Sequence, residues 1–250
     1  MYSVRPNLLI RKLYPSAIWR ITANYKKKGN LPNSKEIHNI RSTGKRGGVI
    51  YLTFDDGPIP KITPWVLSLL KKYKAKATFF CVGANIEKHP EILQQIISEG
   101  HSVGNHTYNH LNGWETTTKE YLESVEKFEK SLQSAAYSLK LNNTHIQKTV
   151  DSKPLFRPPY GKIKPSQFSR LRSQYSIIMW DVLSGDFDQT ISKEKCLKNV
   201  VTKTREGSIV VFHDSLKAEK NLVFVLPKFL EHFSKEGYEF SPNPSPSERG

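Results

Sequence analysis

Two adjacent acids, Asp55 and Asp56, end an apolar, β-rich run (Gly48 to Phe54) and lead into Gly57-Pro58, a dipeptide that turns the chain. Neighbouring strand residues point to opposite sides. At a strand end one carboxylate can therefore face a metal while the other faces an incoming water. His106-Thr-Tyr-Asn-His110 spaces two imidazoles four residues apart. On a helical turn they would share a face and grip one cation. Two imidazoles and one carboxylate leave coordination positions open for water, as a catalytic zinc site requires. Taken singly, each piece has a plainer reading: a polar loop start, or two unrelated histidines.

Further chain exits add weight. His213 follows Ser208 to Phe212 and is either a satisfied core histidine or a general acid titrating near neutrality. Arg157, before Pro158-Pro159-Tyr160, either pairs with a surface acid or stands near Asp55. In the second place it would lower that carboxylate's pKa and fix it. Asp181, Asp186 and Asp188 follow Trp180, and Asp186 could steady and charge His213.

The elements that must position these groups alternate between strand-like and helix-like runs. Gly48 to Phe54, Ala77 to Val82, His101 to Gly104, Leu155 to Arg157, Ser176 to Trp180, Ser208 to Phe212 and Gly237 to Phe240 read as strands. Thr63 as cap and Pro64 as first residue open a helix with Val66, Leu67 and Leu70 inward. Pro90 opens another, stopped by Gly100. Thr117 and Glu120 form a capping box ahead of Tyr121, Val125, Phe128 and Leu132. Ser192 to Arg205 and Asn221 to Lys235 read as helices, with Pro227 a kink or a late start in the second. Repeated β-then-α units predict an α/β fold with about seven mostly parallel strands flanked by helices, as a barrel or an open sheet. Sites in such folds lie at the carboxyl ends of strands, which is where these ionisable residues fall.

The chain of 250 residues carries a net charge of +15. Residues 1–50 hold eleven Lys and Arg against one acid, Glu36. This basic arm is either a solvated face or a contact for an anionic membrane or wall surface. Nucleic acid is disfavoured, since no zinc-finger, basic-zipper or RNA-binding signature occurs. Residues 137–153 read as a polar loop and 241–250 as a disordered tail. Cys81 and Cys196 are too far apart for a zinc or redox motif and read as small buried apolar residues. The apolar run Leu8 to Ile10 is too short for a signal core, and no stretch reaches the ~18 apolar residues of a membrane span.

In this order the motifs resemble the polysaccharide deacetylase family, the NodB-homology or carbohydrate esterase family 4 domain, over about residues 48–240. Thr53-Phe-Asp-Asp-Gly-Pro58, His106-Thr-Tyr-Asn-His110, Arg157-Pro-Pro-Tyr160, Trp180 to Phe187 and Val211-Phe-His-Asp214 are similar to its five motifs. The resemblance implies a distorted (β/α) barrel. It implies that Asp56, His106 and His110 bind a metal, usually zinc, with cobalt a substitute. Asp55 would be the general base, His213 the general acid, Arg157 the orienter of Asp55 and Asp186 the tuner of His213. The Tyr160 N–H would help hold the oxyanion. Pro159, Tyr160, Trp180, Phe187 and Val211 would meet the substrate; Trp180, Phe187 and Trp114 are core residues unless they line the cleft and offer a flat face to a sugar.

The expected reaction is hydrolysis of N-acetyl groups on N-acetylglucosamine-containing poly- or oligosaccharides by a metal-activated water. Leu183 stands where many members have an acid and Phe187 where many have Trp, which keeps an esterase or amidase on a non-sugar acyl substrate as the alternative. A binding protein without turnover is disfavoured because every expected catalytic residue is present. By sequence the chain is cytoplasmic or peripheral at a membrane; the family implies the cell envelope.

Overall fold

The computed structural model describes residues 47–139 and 153–242. The basic arm up to Arg46, most of the 137–153 loop and all but the start of the expected tail lie outside them. Central to the fold is β1 (Gly48–Asp55). It pairs in parallel with β2 (Thr78–Cys81) through Thr53 to Asp55, and with β7 (Ile209–His213) through Tyr51 to Asp55. Seven parallel strands follow the order β5-β4-β3-β2-β1-β7-β6. The others are β3 (Ser102–Asn105), β4 (Leu155–Phe156), β5 (Ser176–Ile177) and β6 (Val182–Leu183). An eighth, β8 (Tyr238–Ser241), pairs with the first half of β1. No pairing joins β5 to β6 among the described residues, so the sheet curls into a distorted barrel open at that seam.

Period-two alternation divides the core. Ile50, Leu52 and Phe54 of β1, Phe79 and Cys81 of β2, and Val210 and Phe212 of β7 face the helix layer. That layer comprises α1 (Ile62–Lys72), α2 (Gly83–Lys88), α3 (Pro90–Ser98), α4 (Thr118–Ser138), α5 (Pro165–Leu171), α6 (Lys193–Lys203) and α7 (Glu219–Lys235). The opposite faces, with Tyr51, Phe80 and Ile209, fill the barrel together with Leu155 and Ile178. Side chains therefore pack the barrel interior. Asp55 and His213, in phase with Tyr51 and Ile209, point inward from the strand ends.

Several local expectations hold. Thr117 accepts from the Glu120 N–H at 3.3 Å and Glu120 accepts from the Thr117 N–H at 3.2 Å, closing the capping box of α4. Gly100, at φ 78, follows α3 in the left-handed conformation that suits glycine. Others differ. The first helix begins at Ile62, and Thr63 is not its cap. Its hydroxyl accepts from the Ile59 N–H at 2.8 Å and donates to Asp214 at 2.6 Å, because a buried acid competes for it. Ser176 to Trp180 is only partly strand; Val182–Leu183 forms β6 instead, and the Asp181 N–H ahead of it joins the pairing to β7 by donating to Ile209 O at 3.0 Å. α7 starts before Pro227 and runs through it. The short α2 and α5 lack a full apolar period and are not legible in the sequence.

Candidate active site

The turn after β1 places the two acids differently. Asp55 is buried in the barrel mouth, 4% exposed. Asp56 adopts φ 86, its N–H donating to Phe80 O at 3.2 Å and its carbonyl accepting from Asn85 Nδ2 at 2.8 Å. The next peptide, Gly57-Pro58, is cis. Gly57 is needed here: a Cβ would lie 2.0 Å from an Asp214 oxygen. Asp214, fully buried, receives the Gly57 N–H at 3.1 Å and the Thr63 hydroxyl at 2.6 Å, and its own N–H donates to Asp55 O at 3.1 Å. Burial, with the nearby Asp56 charge, pushes the Asp214 carboxyl up to about 8.

The two histidines come together, but not on a helix. Residues 106–110 form a loop in which Thr107 (φ 62) and His110 (φ 54) are left-handed. Asn105 ties it down: its Oδ1 accepts the Thr107 N–H at 2.8 Å and its Nδ2 reaches Val125 O at 3.0 Å and Glu129 at 2.8 Å. The ring centroids of His106 and His110 end 5.0 Å apart. The four-residue spacing is legible in the sequence; the geometry that uses it is a pinned loop rather than a helical turn.

Asp56, His106 and His110 offer ligand atoms all within 4.8 Å of one another. Asp56 Oδ1 is 3.1 Å from His110 Nε2 and 3.8 Å from His106 Nε2. Ligands at ~2.0–2.1 Å around a tetrahedral zinc would stand about 3.3 Å apart, so the donors fit such an ion. His106 Nδ1 donates to Arg157 O at 2.8 Å, which leaves Nε2 with its lone pair toward the cluster. His110 Nδ1 is 3.2 Å from the Tyr160 hydroxyl. Burial pushes His106 down to about 4, against the pull of Asp55 and Asp56, so the ring is neutral at pH 7. Burial alone would raise Asp56, but the His110 hydrogen bond and the His213, His110 and His106 charges outweigh it and hold the carboxyl below its ordinary range.

Arg157 is wholly buried after β4, its guanidinium 4.1 Å above the Phe80 ring. It donates to Asp55 Oδ1 at 2.6 Å, Thr53 Oγ1 at 2.8 Å, Ile178 O at 3.2 Å and Met179 O at 2.9 Å. Asp55 Oδ2 is left facing the cluster, 4.0 Å from His106 Nε2. Across the mouth, Asp186 accepts from His213 through the ring Nδ1 at 2.8 Å and the backbone N–H at 2.9 Å. Burial would push His213 down. The Asp186 charge and hydrogen bond, helped by Asp56 and Asp55, win and push it up to about 9.

A protein-family model described as polysaccharide deacetylase matches residues 42–174. A peptidoglycan-N-acetylglucosamine deacetylase of Bacillus cereus is 34% identical over 194 residues, covering 77% of this chain and 84% of that protein. This chain belongs to the polysaccharide deacetylase family. It is thereby a hydrolase of sugar amides. The peptidoglycan-N-acetylmuramic acid deacetylase PdaC of Bacillus subtilis is 29% identical over 86% of this chain, which spans 43% of PdaC. Among solved structures, the Bc1960 peptidoglycan N-acetylglucosamine deacetylase superposes with a TM-score of 0.66 at 31% identity, over 79% of this chain and 86% of that one.

In this deacetylase the remaining predicted residues spread from mouth to core. Tyr160 is left-handed (φ 59) in the turn Pro159–Gly161 and 60% exposed. The turn closes through the Gly161 and Lys162 N–H groups, leaving that of Tyr160 out of it. Phe187 packs its ring 4.8 Å from His213. Trp180 is half-buried against Gly161, where a Cβ would lie 2.4 Å from the indole. Pro159 is buried, and Val211 is buried within β7 between Thr53 and Leu183, one pleat below His213. Asp181 lies elsewhere, accepting from Ser208 at 2.8 Å near the start of β7. Asp188 accepts from Thr190 at 2.6 Å. The sequence assigns no part in the site to Asp214 or Thr53 and reads Thr63 only as a helix cap; an acid directly after an apolar strand and a conspicuous His is the signal Asp214 offers.

Proposed function

We propose that this deacetylase removes N-acetyl groups from N-acetylglucosamine-containing glycans of the peptidoglycan type, with a divalent cation, zinc by preference, held by Asp56, His106 and His110. The observation that carries the reading is the convergence at the barrel mouth of that donor set, a buried carboxylate fixed by Arg157, and a histidine fixed by Asp186. The names of the relatives supply the substrate class. Bound there, the cation contributes Lewis acidity toward a water and an acyl oxygen.

The chain's own groups divide the remaining work. Arg157 occupies Asp55 Oδ1, so Oδ2 accepts the proton of the attacking water. The Tyr160 N–H donates to the acyl oxygen as it gains charge. His213, protonated through Asp186, passes its proton from Nε2 to the leaving sugar amine. Residues 48–240 would be the catalytic unit, and the basic residues 1–47 would contact an anionic surface of the cell envelope. Among the described residues no helix is long and apolar enough to cross a membrane.

The test is acetate release from N-acetylglucosamine oligomers beside simple aryl acetates. Chelation should abolish release and zinc or cobalt restore it. Asp55→Asn should bind metal without turnover. Full metal content and rate in His110→Ala would sink the assignment, and turnover of aryl acetates alone would move it to the esterase alternative.

A further inference from the structure

Large apolar side chains at a protein surface mark contact sites when they gather beside one another. Trp114 is 58% exposed and Tyr160 60%. Between them stands Lys162, its ammonium 5.4 Å from the Trp114 ring and 5.9 Å from the Tyr160 ring. The Tyr160 ring in turn lies 4.6 Å from that of His110. His110, Tyr160, Lys162 and Trp114 thus form a continuous path from the cation donors to the surface.

The path is built rather than loose. Trp114 donates through Nε1 to Ile163 O at 3.3 Å and through its backbone N–H to Asn112 Oδ1 at 3.1 Å. Gln167 Nε2 reaches Gly113 O at 3.0 Å, and Lys164 Nζ reaches Thr116 O at 2.7 Å. Gly113 sits so close that a Cβ there would lie 2.4 Å from Lys162 O. The two loops are therefore stapled together, with the indole left facing solvent.

Lys162 meets no carboxylate among the described residues. The acid next to Trp114, Glu115, takes the Asn112 amide at 2.7 Å. Two aromatic faces steady the ammonium by cation–π attraction, and its donors remain for a ligand. We infer that Trp114 and Lys162 form a subsite for the glycan residue next to the acetamido sugar under attack: its ring stacks on the indole, and a carboxylate it carries pairs with Lys162. This rests on the deacetylase reading and adds to it two specificity-determining residues outside the cation donors, Trp114 and Lys162, which favour a carboxylate-bearing neighbour over a neutral one.

The test compares a GlcNAc–MurNAc tetrasaccharide bearing free lactyl carboxylates with neutral N-acetylchitotetraose, using the zinc-loaded full chain. Wild type should prefer the acidic substrate in kcat/KM. Lys162→Gln should lower that preference about tenfold, through KM, and high salt should shrink the difference. Trp114→Ala should raise KM several-fold for both substrates with kcat little changed. Lys119→Gln, on the exposed face of α4, serves as the charge control and should leave the preference unaltered. An unchanged preference in Lys162→Gln, or an unchanged KM in Trp114→Ala, overturns the subsite. If wild type turns over neither sugar, the deacetylase reading itself fails. Calorimetric titration with the same two sugars still decides the subsite: tighter binding of the acidic one, lost in Lys162→Gln, supports it, and equal binding overturns it.

Discussion

Asp186 holds His213 at two points, one carboxylate oxygen 2.8 Å from the ring Nδ1 and the other 2.9 Å from the backbone N–H. The ring can neither rotate nor readily lose its proton, since it is pushed up to about 9 despite burial. Asp186→Asn keeps the shape and removes the charge. Burial then dominates and His213 titrates lower, so the alkaline limb of the pH–rate profile should move down, with a loss of about 10²-fold in rate at pH 8. The same pair affects stability. The folded-state pKa is raised, so the contribution is complete below the ordinary 6.5 and lost as pH rises through about 9. Denaturation should show a decline between pH 8 and 10 in wild type that is lost in Asp186→Asn, whereas the fall below pH 8 that Asp214 contributes is common to both. An alkaline limb that stays in place would remove His213 from the proton-donor role.

Arg157 and Asp55 form a buried pair, 2.6 Å apart. Removing one member strands the other charge, at a cost of about 3–5 kcal/mol, whereas replacing both with uncharged groups costs much less. Arg157→Met should therefore be strongly destabilised in urea titrations, and Arg157→Met with Asp55→Asn should recover most of the loss while remaining inactive. A double variant no more stable than the single would mean that the hydrogen bonds to Ile178 and Met179, rather than the charge pair, carry the cost.

The strand exits that carry Asp55, Arg157 and His213 are legible in the sequence because buried parallel strands are apolar runs and the polar residue ending each one stands out. The seam between β5 and β6 is not, because two apolar stretches, Ile177 to Trp180 and Val182 to Leu183, stand on either side of Asp181 and their pairing is decided by neighbours far along the chain. The left-handed loop at Thr107 and His110 is equally hidden. Neither residue type announces positive φ, and the conformation is imposed by Asn105 and by contacts from α4.

The cation donors give a graded prediction. His110→Ala deletes a proposed ligand and should reduce bound zinc to background in a chelator competition. Tyr160→Phe deletes only the hydroxyl beside His110 Nδ1. Loss of such an outer partner weakens metal binding about 10- to 100-fold, and the exposure of Tyr160 places the expectation near the lower figure. Zinc affinity equal to wild type in Tyr160→Phe would show that water replaces the hydroxyl at no cost.

Asp214 tests whether the acid turn needs a charge or only an acceptor. Its carboxyl is pushed up to about 8 by burial, from an ordinary 3.8. A raised acid means that the folded state keeps a proton the unfolded chain has released. Stability therefore falls as pH rises from about 4 to about 8. Asp214→Asn offers the Gly57 N–H the same acceptor and cannot ionise. It should fold at pH 6, bind zinc, and lose that pH dependence, a slope of up to about 1.4 kcal/mol per pH unit for one proton. Thr63→Val, which strands the other oxygen, should cost about 1–3 kcal/mol at the same pH. If Asp214→Asn folds but no longer binds zinc, the negative charge itself shapes the Asp55-Asp56 turn, and Asp214 is ionised in the working enzyme.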